Sequence, residues 1–187
     1  THSSGALAVN DACWTAATLV AEREGLEPRQ MKGVVFESAF HGRHDRSADS
    51  TASTPKVAFR QIPKRFIRCS APNIVIDQLG NKLDRETRDA VAKSLKGVER
   101  AFKNRESAYI IIEYPFQAEG GARLVDIKVL KRLHNLCQKY RKVLIVDCIQ
   151  MGGRVFAKNK QGKITPFPAE ALEYADIIIF GKVFRVS

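Results

Sequence analysis

Two stretches decide the fold, Ala108-Tyr109-Ile110-Ile111-Ile112-Glu113-Tyr114 and Val143-Leu144-Ile145-Val146-Asp147. Each is a continuous apolar run rich in β-branched residues, the pattern of a strand covered on both faces. Between them Ile127, Leu130, Leu133, Cys137 and Tyr140 recur at helical spacing from a start near Asp126, with Lys131, Arg132, Lys139 and Arg141 mostly elsewhere. A third run, Ile177-Ile178-Ile179-Phe180, closes on Gly181 and Lys182, and a short helix is expected before it, around Ala169 to Tyr174. This alternation predicts an α/β domain of three layers, a mostly parallel sheet with helices on both faces and right-handed crossovers.

Toward the amino end, Ser3 or Ser4 is placed to cap a helix that begins near Gly5 and runs to Ala21, with Gly25 as its stop. The many small residues of that helix predict tight packing against the sheet. Val34-Val35-Phe36 reads as a strand feeding the loop Ser38-Ala39-Phe40-His41-Gly42-Arg43. The polar, Ser/Thr-rich and basic stretch from His44 to Pro72 predicts irregular structure with one short strand near Val57-Phe59. Asp84 is expected to cap a helix whose apolar stripe is Val91, Leu95, Val98 and Phe102.

The 187 residues, 44% of them hydrophobic, are expected to form a single domain with one substantial core. No run approaches the roughly 18 apolar residues of a membrane-spanning helix, so a soluble chain without membrane contact is expected. Cys13, Cys69, Cys137 and Cys148 are scattered without a CxxC pair, which disfavours a disulfide framework or zinc site. A reducing compartment, cytoplasm or mitochondrial matrix, suits them. The net charge of +11 exceeds what solubility requires and is attractive to polyanions. Between Thr51 and Ile76 no acidic residue occurs, while Lys56, Arg60, Lys64, Arg65 and Arg68 alternate with Phe59 and Phe66. That pattern suits phosphate contact with base stacking, and more simply an exposed basic loop or edge anchored by two aromatics.

In parallel α/β sheets, polar residues just past the carboxyl ends of strands face the crevice where ligands bind. Asp147 and Lys182 hold such positions. By themselves they read first as an ordinary salt bridge or as solvent contacts, since charged residues end strands routinely. A carboxylate and an amine at one sheet edge are also what pyridoxal 5'-phosphate (PLP) requires, one beside its pyridine nitrogen and the other for its Schiff base. Its phosphate suits a helix amino end, and Gly5 and Ala6 after the two serines offer one.

Five motifs make the resemblance specific: Ser4-Gly5-Ala6-Leu7-Ala8-Val9, Ala39-Phe40-His41-Gly42-Arg43, Pro115-Phe116-Gln117-Ala118-Glu119-Gly120-Gly121, Asp147-Cys148-Ile149-Gln150 and Phe180-Gly181-Lys182. In order and approximate spacing the chain resembles the class III PLP-dependent aminotransferases, with the pattern of the lysine 6-aminotransferases among the ω-aminotransferases. The resemblance implies part of the large domain of a fold-type I PLP transferase. It also implies transfer of a terminal amino group to 2-oxoglutarate, and a homodimer. By position it makes Lys182 the catalytic Schiff-base lysine that also moves the substrate proton. It puts Asp147 at the pyridine nitrogen, Gln150 at the ring hydroxyl, Gly5 and Ala6 at the phosphate, Phe40 on the ring face and His41 nearby. Glu119 matches the glutamate that switches between amino donor and 2-oxoacid. Plainer accounts stand beside these: Gly5 for helix packing, Phe40 as core, Glu119 as a turn cap and Gln150 as a solvated loop residue.

The chain also departs from the pattern. The family's Glu-Pro is Tyr114-Pro115 here, with Glu113 one position earlier, where alternation points it to the other face. Cys148 stands where an acidic residue is usual, and Met151-Gly152-Gly153-Arg154 is a shortened glycine turn. The chain ends five residues after Lys182, so the small domain is expected to be absent and transamination by residues 1–187 alone is not expected. The competing expectation is a catalytically inactive, aminotransferase-derived structural subunit of a large assembly such as a mitochondrial ribosome, bound to RNA or protein.

Overall fold

The computed structural model describes residues 2–51, 65–150, 171 and 173–181, and the backbone of 156–158 and 164–166. Helix α1 (Gly5–Glu24) starts where the Ser4 side chain accepts the Leu7 N–H and ends at Gly25, whose φ of 66° closes it. Strand β1 (Lys32–Phe36) follows, then a short helix α2 (Asp45–Ser50) and strand β2 (Phe66–Cys69). Helix α3 (Asp84–Phe102) leads into β3 (Ser107–Glu113). A small antiparallel hairpin, β4 (Phe116–Gln117) and β5 (Arg123–Leu124), precedes helix α4 (Ile127–Tyr140) and strand β6 (Val143–Asp147). A second hairpin, β7 (Phe156–Lys158) with β8 (Ile164–Pro166), comes before the last strand, β9 (Ile177–Ile179).

The five main strands form one sheet in the order β2-β1-β3-β6-β9, and every pairing in it is parallel. All residues of β3 and β6 are buried, as their unbroken apolar runs require. On one face lie the small residues of α1, with Val9, Cys13, Ala16, Ala17 and Val20 against Val35, Tyr109, Ile111 and Ile145. On the other, the stripe Val91, Leu95, Val98 and Phe102 of α3 joins Leu130, Leu133 and Cys137 of α4 against Ile110, Ile112, Leu144 and Val146. The expected three layers are therefore present. From β1 the chain moves outward to β2, then crosses back to β3 and proceeds the other way. Such a reversal opens a crevice at the carboxyl ends of the strands.

Three local details differ from expectation. In the described part of the stretch from His44 to Pro72, α2 and β2 are regular elements that were not expected there, while residues 52–64 lie outside the described residues. Ser50 and Thr51 satisfy buried backbone rather than solvent: Ser50 Oγ donates to Ser47 O, and Thr51 Oγ1 donates to Gly42 O, each at 2.8 Å. The fully buried Arg46 side chain lies 4.1 Å from the Trp14 ring and donates to the carbonyls of Pro28 and Met31. Secondly, Leu83 rather than Asp84 is the N-cap of α3, and Asp84 is its first helical residue. Thirdly, β9 ends at Ile179, leaving Phe180 outside the strand and exposed. The strand expected at Val57-Phe59 lies outside the described residues, as does half of the short helix expected around Ala169 to Tyr174. Among the described residues no helix is long and apolar enough to cross a membrane.

Candidate active site

The carboxyl edge of the sheet gathers three segments that are far apart in sequence. Past β1 the chain turns through Ser38 (φ 64°) and Gly42 (φ 127°), which brings the His41 imidazole back over the strand ends. The loop is fixed from below, since Thr51 Oγ1 accepts the His41 N–H at 3.0 Å. His41 Nδ1 lies 2.8 Å from Asp147 Oδ2, with the imidazole fully buried and the carboxylate 4% exposed. The other oxygen, Oδ1, accepts the Ile149 N–H at 3.0 Å. A carboxylate accepts at up to four sites, so Asp147 keeps capacity for a further donor. His41 Nε2 is buried without a hydrogen-bond partner among the described residues.

The amino end of α1 abuts this pair through two glycines. A Cβ on Gly5 would lie 2.8 Å from Ile149 Cδ1, and one on Gly42 would lie 2.7 Å from the Ala6 Cβ. Only hydrogen at both positions permits the approach. The first N–H groups of the 20-residue helix have no partner within it, and its dipole adds partial positive charge there. A Cβ on Gly181 would stand 3.2 Å from Ile149 Cγ2, so the end of β9 reaches the same place.

Glu113 completes the set, and sequence reasoning assigned it no role. Its Oε2 accepts the Phe40 N–H at 3.0 Å, while Oε1 is buried. Burial pushes the carboxyl up to about 7; nearby His41 and the Phe40 N–H act against this rise and Asp147 reinforces it. The signal was available in the sequence, because Glu113 ends its strand as Asp147 ends the neighbouring one. Their Cα positions are partnered in the ladder, so both side chains leave the same face. Tyr114 goes to the opposite face, into the core under α3 and α4.

Of the residues singled out from sequence, Gly5, Ala6, His41 and Asp147 converge directly, and Phe40 joins them through Glu113. Gln150 is partly buried three residues beyond Asp147. Glu119 is exposed on the β4–β5 hairpin, which sits against the same loop: a Cβ on Gly120 would be 3.1 Å from Ser38 O. Lys182 lies outside the described residues, as do Lys56, Arg60 and Lys64. Arg65 pairs with Asp49 and, at 3.2 Å, with Asp45. Arg68 is half-buried in β2, and Phe66 makes an edge-to-face contact with Tyr109 at 6.1 Å.

The donor set fits PLP. A buried carboxylate held by an imidazole and a main-chain N–H suits a protonated ring nitrogen, and a long helix's amino end at the same edge suits a phosphate dianion. Comparison with known proteins agrees with that chemistry, since the family model for aminotransferase class-III matches residues 1–185. The chain belongs to the class III aminotransferases. PLP is the cofactor of that family. The chain is 25% identical over 190 residues to L-lysine-epsilon aminotransferase of Amycolatopsis lactamdurans, covering 97% of this chain and 40% of that protein. It is 30% identical over 173 residues to glutamate-1-semialdehyde 2,1-aminomutase of Campylobacter fetus, covering 90% of this chain and 35% of that one. The structure of a lysine aminotransferase from M. tuberculosis in the internal aldimine form superposes with a TM-score of 0.68 at 25% identity, covering 95% of this chain and 40% of that chain. This class III chain therefore spans about 40% of the length of such relatives.

Proposed function

We propose that residues 1–187 are part of the cofactor-binding large domain of a PLP-dependent ω-aminotransferase that moves a terminal amino group, of the kind lysine carries, to 2-oxoglutarate. The observation that carries this is the buried Asp147 carboxylate, locked by His41 and the Ile149 N–H at the sheet edge where α1 begins. Bound PLP supplies an electron sink for the carbanion left when the substrate carbon loses its proton. Asp147 would hold the ring nitrogen protonated, the amides of Gly5 and Ala6 would bind the phosphate, and Phe40 would cover the ring. Gln150 would hold the ring hydroxyl. Lys182 would carry the proton away from the substrate carbon and return it. Glu119, on the hairpin beside the Ser38 loop, would face the substrate. The resemblance to the family carries a homodimer as part of this reading, and four free, buried cysteines suit a reducing compartment such as the mitochondrial matrix or cytoplasm.

The test is spectroscopic and chemical, on the whole protein as it occurs. Titration with PLP is expected to produce a visible absorbance band, and borohydride is expected to fix the cofactor to the peptide containing Lys182. Lysine with 2-oxoglutarate is expected to yield glutamate. No band at saturating PLP removes the proposal.

The net charge of +11 favours a second reading, an inactive structural subunit held on RNA. The exposed face of α4 adds to it, since Lys128, Lys131 and Arg132 stand there and the helix contains no acidic residue, although Lys139 on the same helix is paired with Glu99 at 2.8 Å. Against it, Arg65 is engaged by two carboxylates and Phe66 by Tyr109. A steep loss of association between 50 and 200 mM salt, in the range described for multiple phosphate contacts, would support it. Salt-insensitive behaviour as a free dimer would oppose it.

A further inference from the structure

We propose that Glu113 is a positioning residue of this site, which holds the Phe40–His41 segment in place and sets the charge beside the His41–Asp147 pair through its own proton. The proposal rests on the PLP-site reading for its purpose, and on contacts within this chain for its substance.

Three observations support it. Glu113 Oε2 accepts the Phe40 N–H at 3.0 Å, so the strand end of β3 tethers the segment that carries both the proposed ring cover and the Asp147 partner. Glu113 and Asp147 are partnered across adjacent parallel strands and leave the same face. Oε1 is buried, and so is His41 Nε2, which has no hydrogen-bond partner among the described residues. Two acids and one imidazole thus share a pocket with little water to screen them.

The charged groups acting on Glu113 are His41, from the loop after β1, and Asp147, from β6. When the Glu113 proton leaves to solvent, a further negative charge appears beside the imidazole and the Asp147 side chain, and this alters the field that a ring nitrogen at Asp147 would meet. The shift of the Glu113 carboxyl up to about 7 puts this change within the working range of most enzymes.

The experiment follows the His41 ring signals by NMR from pH 5 to 9 in the whole protein without cofactor, in wild type, Glu113→Gln and Glu113→Leu. His41 is assigned by its loss in His41→Gln. In wild type the His41 signals are expected to show an inflection near 7 that reports Glu113. Glu113→Gln retains an oxygen for the Phe40 N–H but has no proton to lose, so the inflection is expected to vanish while the ring remains in its folded position. Glu113→Leu removes the tether as well, and its His41 signals are expected to broaden or move toward those of the unfolded chain. His41 titration that is the same in wild type and Glu113→Gln overturns the proposal. PLP titration of the same proteins separates the two conclusions. A protein that fails to bind PLP yet shows the Glu113-dependent inflection sinks the aminotransferase reading alone, and one that binds PLP without the inflection sinks the role of Glu113 alone.

Discussion

Glu113 and Asp147 are register partners at the carboxyl ends of adjacent parallel strands, both buried and both directed to the face that α1 covers. Burial, reinforced by the nearby Asp147, holds the Glu113 proton up to about 7 against an ordinary 4.5.

This placement predicts a stability that falls as pH rises. A carboxyl whose folded pKa is raised binds its proton more tightly folded than unfolded. It therefore costs nothing below about 4.5, costs progressively more through the window to about 7, and costs its full amount above that. At about 1.36 kcal/mol per unit the ceiling is roughly 3 kcal/mol. Glu113→Gln is expected to remove the decline. Urea unfolding at pH 5, 6, 7 and 8 checks this, and wild-type and variant curves that run parallel across the window would refute it.

Asp147→Asn tests the carboxylate itself. The amide preserves shape and an oxygen for the Ile149 N–H, but it removes the charge that a protonated pyridine nitrogen and His41 both use. Hydrogen bonds to charged groups contribute about 1.5 to 3 kcal/mol, so PLP affinity is expected to fall about 10- to 100-fold. Equilibrium titration by absorbance gives the number. An unchanged affinity would mean that Asp147 does not meet the cofactor.

How much of this was legible in the sequence follows from which forces are local. The runs 108–112 and 143–146 announced buried strands because no exposed surface interrupts them, and the parallel sheet came with their alternation. Asp147 could be located as a strand-end residue for the same reason. Helix α2, directly after His44, was hidden because Ser/Thr content normally marks a loop, whereas here Arg46 is held by Asn10 of α1 and by Trp14, contacts made across more than thirty residues. Glu113 was visible as a strand terminus, but its role depends on the register between β3 and β6, which no single segment encodes.

Glycine at 42 is predicted to be required by two effects at once. Its φ of 127° is strained for any other residue, and an added Cβ would lie 2.7 Å from Ala6 Cβ and 2.8 Å from Ser47 Oγ. Gly25 supplies the control, since φ is 66° and no atom lies within 4 Å of an added Cβ. Gly25→Ala is expected to cost about 1 kcal/mol, and Gly42→Ala several times that, with weaker PLP binding because α1 is pushed off the His41 loop. Thermal unfolding of the two variants compares them directly; equal losses of Tm would show that the α1 junction tolerates the methyl group.

The cysteines provide a check on the core that is independent of any cofactor. All four are free and buried, and burial pushes Cys13 and Cys148 up to about 12 and Cys69 to about 11, with Cys137 also raised. Alkylation requires the thiolate, so at pH 8 a thiol at about 12 reacts on the order of 10³-fold more slowly than a free cysteine near 8.5, before access is considered. Cys148 is the informative one. It follows Asp147 directly, yet its side chain enters the core under α3 and α4 and faces away from His41. Iodoacetamide labelling with peptide mass analysis is expected to find Cys13 and Cys148 protected until the protein unfolds. Fast labelling of Cys148 in the folded protein would mean that β6 does not hold Asp147 where His41 can reach it, and the site would lose its anchor.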